Sequence, residues 1–310
     1  MTMHDVIPSL LPVFLIILIG WATKARGIIS PVQWDGFEKV TYFILFPAVI
    51  IETLVRSDLS SVPFAAMGAS LVGAILVMSA LLILFRKPLQ TALDMSGPSF
   101  TSLFQGSTRW NTFVALSLTA SLFGKPGTTL CAVAIASMIP LLNVLALLVL
   151  SRYAAPAKLS PRAFVLTLIK NPFIWSCAIG IGINLSGVKL PAPVMTTAEM
   201  IGRASLAGGL LCVGAGLELG QMARPRASVY LSAALKLALM PAMAVGLAVM
   251  FGLSGTALAV VVICSSVPTA SGGYVLARQM GGDAPLIAEM ITVQTLIAMA
   301  SMPMAIALLT

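Results

Sequence analysis

The segment Ser265-Ser-Val-Pro-Thr-Ala-Ser-Gly-Gly273 interrupts the centre of an apolar stretch that runs from residue 255 to residue 280. Pro268 removes a backbone donor and collides with the preceding helical turn, and the two glycines relax the turn that follows. Non-helical backbone at the middle of a membrane survives only where protein or a watery cavity satisfies its polar groups. The segment therefore predicts a membrane helix that is broken at its centre.

A second polar break lies at the centre of an earlier apolar stretch, residues 98–123, and reads Ser107-Thr-Arg-Trp-Asn-Thr112. The two breaks fall in the fourth and the ninth apolar stretch, which are equivalent places in the two halves of the chain. Matched breaks at the membrane centre are typical of the site of a secondary transporter. The alternative, a kink that only packs against neighbouring helices, is less favoured for a matched pair than for one break.

Ten apolar stretches, each about the 20 residues that cross a bilayer, make up most of the chain. They run over residues 5–23, 37–57, 62–85, 98–123, 126–151, 163–186, 192–219, 227–251, 255–280 and 284–308. Hydrophobic residues form 59% of the chain and charged residues 9%, far from the composition of a soluble domain. We therefore expect an all-α integral membrane protein with ten transmembrane helices.

The longest polar connection near the middle, residues 151–162, divides these stretches into five and five. An odd number of spans in each half inverts the second half relative to the first, as in many secondary transporters. The sequence therefore predicts two inverted five-helix repeats, residues 1–155 and residues 156–310.

Basic residues are distributed unequally between the two sides of the predicted bundle. Eleven of the 18 Lys and Arg residues lie on the side away from the termini: Lys24, Arg26, Lys39, Arg86, Lys87, Arg152, Lys158, Arg162, Arg224, Arg226 and Arg278. The terminal side holds only Arg56, Lys125 and Lys189. Short loops rich in Lys and Arg stay in the cytoplasm, so we expect both termini to lie outside it. This loop excess also accounts for most of the net charge of +8, which removes the reason to expect nucleic acid as a partner.

Six residues of the two breaks are candidate substrate-binding residues: Arg109, Asn111, Thr112, Pro268, Thr269 and Ser271. Two half-helix N-termini at the breaks would favour an anion, and a guanidinium grips a carboxylate with two hydrogen bonds. An arginine at the membrane centre costs about 2.5–3.5 kcal/mol on insertion scales, so Arg109 should be paired, hydrated or used. The alternative for Arg109 is a structural pairing elsewhere in the bundle.

Two further candidates lie on neighbouring helices. Lys236, near the centre of the eighth stretch, is expected to be a substrate counter-ion or a proton-coupling group, with a side chain that snorkels to the cytoplasm as the alternative. Gln294 in the tenth stretch is expected to contact substrate or to bond across helices.

The chain has few residues for metal or enzyme chemistry. Its only histidine is His4, and its four cysteines lie singly within apolar stretches without CxxC spacing. No HExxH motif, pair of mid-membrane Asp residues or nucleotide-binding loop occurs in the sequence. We therefore expect no metal site, no cofactor and no enzymatic activity.

The chain resembles the auxin efflux carrier family of bacterial permeases and plant PIN carriers. The resemblance covers nearly all 310 residues and is carried, in order, by Pro12–Gly20, Phe46-Pro47-Ala48, Arg109-Trp-Asn-Thr112, Lys170-Asn-Pro172, Lys236 with Pro241, Pro268-Thr-Ala270 and Gly281–Ile291. It implies a fold related to bile-acid symporters and sodium/proton antiporters, in which the fourth and ninth helices cross at their breaks between a scaffold and a transport subdomain. Export or uptake of carboxylates, malonate and indole-3-acetate among them, is the activity it implies.

The sequence thus predicts a secondary transporter that moves a small organic anion by alternating access, in a bacterial inner membrane. A channel or facilitator for a non-carboxylate solute is the alternative. The coupling ion, proton or sodium, and the oligomeric state, a homodimer included, stay open at this point.

Overall fold

The structure, a computed structural model, describes residues 3–57, 62–154, 166, 169–219 and 226–309, and these are almost entirely helical. The first half contains α1 (Met3–Ala25), α2 (Pro31–Val40), a π-helical turn (Thr41–Leu45), α3 (Phe46–Arg56), α4 (Phe64–Leu84), α5 (Arg86–Ala92), α6 (Gly97–Thr108) and α7 (Thr112–Tyr153). The second half contains α8 (Pro172–Ser186), α9 (Ala192–Ala215), α10 (Ala227–Ala234), a second π-helical turn (Leu235–Leu239), α11 (Met240–Met250), α12 (Gly255–Ser266), α13 (Gly272–Met280) and α14 (Ala284–Leu309). No strand occurs among the described residues.

Most of the described helices lie within the apolar stretches of the sequence. The all-helical class is confirmed, and the apolar helices are consistent with an integral membrane protein. Within the described residues, four helical segments are long and apolar enough to cross a membrane: Phe64–Leu84, Gly97–Tyr153, Ala227–Met250 and Ala284–Leu308. Three shorter apolar helices are Leu11–Ala25, Pro172–Ser186 and Gly255–Ser266. The division into two inverted repeats stays a prediction; most of the connection between them, with Lys158 and Arg162, lies outside the described residues, as does Arg224.

Both central breaks of the sequence are ends of helices in the structure. Helix α12 ends because Val267 precedes a proline and adopts an extended backbone (φ −63°, ψ 150°), the conformation that a following proline imposes. Helix α6 ends at Arg109, which is likewise extended (φ −68°, ψ 157°). The chain re-enters a helix after Asn111 in one case and after Ser271 in the other.

Gly124 separates the two parts of α7. Its φ of 58° and ψ of −141° interrupt the helix between the fourth and fifth apolar stretches, and a residue with a Cβ rarely adopts such a positive φ. The chain therefore turns sharply at Gly124, and the two parts of α7 can cross the membrane separately.

The helices pack into two groups. In the first group α1 packs against α9, and α3 packs against α8 and α9. In the second group α4 packs against α7 and α11, and α12 packs against α7, α11 and α14. The groups meet where α7 packs against α1, α8 and α9 and where α14 packs against α1. At this junction the rings of Phe46 in α3 and Phe113 in α7 stack with centroids 4.4 Å apart. Both helix breaks belong to the second group and lie beside this junction.

Helices α1 and α9 approach so closely that only glycine fits at two positions. A Cβ added to Gly214 would overlap the carbonyl oxygen of Ile17, and one added to Gly20 would overlap the carbonyl oxygen of Leu211. Close backbone approach through small residues is how membrane helices gain packing energy without a hydrophobic driving force.

Candidate functional site

The two helix breaks contact each other directly. The backbone amide of Asn111 donates a hydrogen bond to the carbonyl oxygen of Pro268 at 2.8 Å. The hydroxyl of Thr269 donates to the carbonyl oxygen of Gln105 at 3.3 Å. The first bond satisfies the Asn111 amide, which a helix start leaves unpaired. The second is an additional contact, because the Gln105 carbonyl also accepts from the amide of Arg109 at 2.9 Å. The structure thus brings the two predicted breaks together.

Gln294 bridges both breaks. Its side-chain oxygen accepts from the backbone amide of Thr269 at 2.9 Å, and its side-chain nitrogen donates to the carbonyl oxygen of Gly106 and to the hydroxyl of Ser232, each at 2.9 Å. The side chain is fully buried. Of the two uses expected for Gln294, the structure shows the bond across helices, and both donors of its amide are engaged in it.

Asn111 caps the helix that follows it. Its side-chain oxygen accepts from the amides of Phe113 and Val114 at 3.1 and 3.2 Å, the standard role of asparagine at a helix N-terminus. Thr112 is the first residue of α7 and is 8% exposed. The positive end of α7 is therefore partly neutralised by its own chain, which leaves the α13 end as the more open of the two N-termini.

Arg109 lies in the first break, and its guanidinium has no carboxylate partner among the described residues. Its guanidinium donates to the side-chain oxygens of Gln105 and Asn143, at 3.1 and 3.4 Å, and both are neutral amides. No Asp or Glu of the described residues lies within ion-pair distance of it. The guanidinium lies against α13, since a Cβ on Gly272 would be 3.5 Å from its Nη1 atom. A full positive charge is thereby placed beside the positive end of a helix.

The N-terminal turn of α13 keeps two free donors. The backbone amides of Ser271 and Gly272 make no hydrogen bond to any described residue, and α13 has no side-chain cap. Four buried polar atoms beside the breaks also lack a partner within the described chain: Nε2 of Gln105, Oγ of Ser107, Nε1 of Trp110 and Oγ of Ser266. Buried polar groups are nearly always paired, so this concentration of unpaired donors marks the breaks as the place for a polar ligand.

Lys236 lies in the π-helical turn between α10 and α11 and stabilises the second break, at the end of α12. Its side chain is fully buried in the π-helical turn, and Nζ donates to the carbonyl oxygen of Ser265 at 2.8 Å. Ser265 lies in the last turn of α12, where carbonyls are unpaired and the helix dipole is negative. The ammonium therefore neutralises the end of a broken helix, and the snorkelling side chain considered from the sequence is not what the structure shows.

A cavity of about 970 Å³ reaches Ser271 from the basic side of the protein. Its walls include Lys24, Trp34, Glu38, Tyr274 and Arg278. At its inner end the Ser271 hydroxyl donates to a side-chain oxygen of Glu38 at 3.3 Å. Sequence reasoning missed Glu38, although a carboxylate just inside an apolar stretch is a signal for a functional residue.

A smaller cavity of about 360 Å³ lies at the opposite end of the α2–α3 segment. Its lining includes Glu52, Arg56, Ser57, Lys125 and Thr129 and none of the break residues. Glu52 is nearly buried and pairs with Arg56 at 2.7 Å. Of these two cavities, only the larger one reaches a break residue among the described part of the chain.

No group of three or more His, Cys, Asp or Glu side chains in the described part of the chain could hold a metal ion. The polar groups at the breaks are instead a guanidinium, backbone amides, hydroxyls and neutral side-chain amides. This donor-rich set suits an oxyanion.

Comparison with known proteins agrees with this architecture. Residues 5–306 match the family described as membrane transport protein. The chain belongs to that family. A transporter of Methanothermobacter thermautotrophicus is 23% identical over 302 residues, which are 96% of each chain. The transporter YfdV of Escherichia coli K12 is 25% identical over 287 residues, which are 88% of each chain.

The family resemblance inferred from the sequence is thereby confirmed, and this protein is a membrane transport protein. Both relatives are described as uncharacterized transporters, and no enzymatic family is indicated. The comparisons and the apolar helices together make the chain an integral membrane transporter.

Proposed function

We propose that this membrane transport protein is a secondary transporter for a small organic anion, a carboxylate, bound where the two helix breaks meet. The observation that carries the proposal is Arg109, a guanidinium without a carboxylate partner beside the open N-terminal turn of α13. A substrate carboxylate supplies the negative charge that this position lacks.

The chemistry of the site favours a carboxylate over a neutral solute. The guanidinium offers paired donors that match the two oxygens of a carboxylate. The free amides of Ser271 and Gly272 add donors at the positive end of α13, and the absent side chain of Gly272 allows a ligand to approach the backbone. The hydroxyls of Thr112 and Ser271 complete the set of contacts in this proposal.

The other predicted site residues hold these donors in place. Asn111 and Pro268 join the breaks, Thr269 and Gln294 bridge them, and Lys236 neutralises the end of α12. Because their polar atoms are already engaged within the protein, we assign them the positioning of the site.

The arrangement of the two cavities and the two helix groups supports a mechanism of alternating access. The large cavity reaches Ser271 from the basic side, and the small cavity at the other end touches no break residue. Movement of the second helix group against the first would close one path and open the other. With the basic side in the cytoplasm, the structure is open to the cytoplasm, and both termini lie outside it in a bacterial inner membrane.

Counterflow of labelled carboxylates in liposomes that contain the purified protein tests the proposal. The panel holds acetate, benzoate, malonate and indole-3-acetate. We expect saturable counterflow of at least one of these anions, and its loss in Arg109→Ala. The matched control is Arg203→Ala, because Arg203 is exposed and pairs with Glu199 away from the breaks.

The outcomes separate the alternatives. Normal counterflow in folded Arg109→Ala would move the anion site away from the breaks. Flux of a neutral solute that does not saturate, without carboxylate counterflow, would replace the transporter by the channel or facilitator considered from the sequence.

A further inference from the structure

We propose that the Glu38 carboxylate competes with the substrate carboxylate for the donors at the start of α13. An anion then binds from the cavity side only together with one proton, which the Glu38 carboxylate takes up. This inference rests on the proposed function, because it concerns the same donors of α13. It adds a residue from the other helix group and a linkage between substrate binding and pH.

The contact between Glu38 and Ser271 carries the inference. Glu38 lies on α2, which packs against α9 of the first helix group, and Ser271 precedes α13, which packs against α14 of the second. The hydroxyl of Ser271 donates to Oε1 of Glu38 at 3.3 Å. A side-chain carboxylate therefore already lies at the inner end of the cavity, beside the donors that we assign to a substrate carboxylate.

Glu38 forms no ion pair with any described residue, although the cavity contains other charges. The charged and titratable groups around it, all of which line the same cavity or act on its carboxyl, are Lys24 from α1, Asp35 from α2, Tyr42 from the first π-helical turn, Cys212 from α9, Glu218 after α9, and Tyr274 and Arg278 from α13.

The nearby cations are engaged elsewhere. Lys24 forms an ion pair with Glu218 at 2.9 Å, and Lys39 forms one with Asp35 at 2.6 Å. Arg278 is exposed and lies over the Tyr274 ring at 5.9 Å. The ionised Glu38 therefore relies on the Ser271 hydroxyl and on the field of the α13 N-terminus, which are the groups an incoming anion also needs.

Two carboxylates at this point exclude each other unless one is neutral. Like charges in a half-buried site repel strongly, and a shared site keeps one of the two groups protonated. In the binding step a proton from cavity water adds to a Glu38 carboxylate oxygen, which leaves the acid neutral. The substrate carboxylate then takes the Ser271 hydroxyl and the Gly272 amide. One proton is bound for each anion, and no other bond changes.

A contact between the two helix groups also gives Glu38 a role when no substrate is bound. The ionised side chain links α2 to the start of α13 and thus joins the groups that must move in alternating access. Substrate and proton together break this link.

The test is the pH dependence of KM for labelled acetate, benzoate and indole-3-acetate, measured by counterflow with the same pH on both sides. Monocarboxylates are used because they stay ionised from about pH 6 to about pH 8. For the wild type we expect KM to rise as the pH increases, by up to about tenfold per pH unit, which is the slope for one linked proton. Glu38→Gln, a neutral mimic of the protonated acid, should show a KM independent of pH.

Two further variants keep the test decisive. Asp35 lies one turn away on the same helix, and its carboxylate already has a lysine partner. Asp35→Asn should therefore retain the wild-type dependence of KM on pH. Glu38→Asp keeps the charge but shortens its reach to Ser271, so its slope should be smaller, and it decides the matter if Glu38→Gln does not fold.

A wild-type slope in Glu38→Gln or in Glu38→Asp, or a wild-type KM that does not change with pH, would overturn the inference and leave the anion transporter intact. Absence of counterflow with every carboxylate in the wild-type protein would overturn the proposed function and this inference with it.

Discussion

The backbone amide of Asn111 donates a 2.8 Å hydrogen bond to the carbonyl oxygen of Pro268, and this bond joins the two broken helices at their breaks. The Asn111 amide has no partner in the helix that it caps, and the Pro268 carbonyl lies beyond the end of α12. In hydrocarbon each group alone would cost several kcal/mol, on the order of a lost hydrogen bond in an apolar medium. Each break therefore supplies the partner that the other lacks.

Gln294→Ala should destabilise the protein and abolish transport. The substitution leaves the Thr269 amide and the Gly106 carbonyl unpaired in a buried place. Each unpaired group costs about 1–3 kcal/mol, so for the two groups we expect a loss of about 2–6 kcal/mol, read as a lower thermal midpoint in detergent. Thr295→Ala on the same helix is the control, because its hydroxyl bonds only within its own helix. Equal midpoints for the two variants would show that the bridge contributes little.

Lys236→Met should weaken the break in α12. It removes the ammonium from the Ser265 carbonyl and from the negative end of the helix. A hydrogen bond from a charged donor is worth about 1.5–3 kcal/mol, and we expect a fall of that size in stability together with slower counterflow. Lys236→Gln keeps a donor and should recover part of both. If Lys236→Met is as stable and as active as the wild type, the ammonium does not support the break.

Gly214→Ala should disrupt the packing of α1 on α9. The new methyl group would overlap the carbonyl oxygen of Ile17, and the overpacking should cost about 1–3 kcal/mol. Gly246→Ala on α11 is the matched control, because no atom lies within 4 Å of the added Cβ. Alanine favours a helix over glycine by up to about 1 kcal/mol, so the control should raise the thermal midpoint while Gly214→Ala lowers it. A raised midpoint for Gly214→Ala would mean that α1 and α9 lie farther apart.

Cysteine labelling tests the orientation in the membrane. All four native cysteines are buried, which keeps the background low. A thiol reagent that does not cross membranes should label Lys189→Cys in spheroplasts, and it should label Lys87→Cys only after the membrane is opened. Both residues are exposed and belong to opposite sides in the charge distribution. The reverse pattern would place the termini in the cytoplasm.

Several features of the site were predictable because they depend on local chemistry. Pro268 ends α12 through the steric restriction that it imposes on Val267. Asn111 stands where a helix restarts, and its short polar side chain is suited to a cap. The lengths of the apolar stretches likewise follow from the thickness of a bilayer and needed no tertiary information.

The partners of these residues could not be predicted in the same way. Gln294 was expected either to contact substrate or to bond across helices, and the choice between the two needed its partners: both donors of its amide bond to groups of other helices. Glu38 was not singled out from the sequence, although it lies just inside an apolar stretch. Its contact with Ser271 joins residues far apart in the chain.

By itself the sequence determined the helical class, the positions of the two breaks and the unequal distribution of basic residues, since hydropathy, proline and charge act over a few neighbouring residues. Only the tertiary structure decided that Asn111 meets Pro268, that Arg109 has no carboxylate partner and that Glu38 reaches the start of α13. These relationships depend on which helix faces pack together, and that choice is made by the summed burial and hydrogen bonding of the whole bundle.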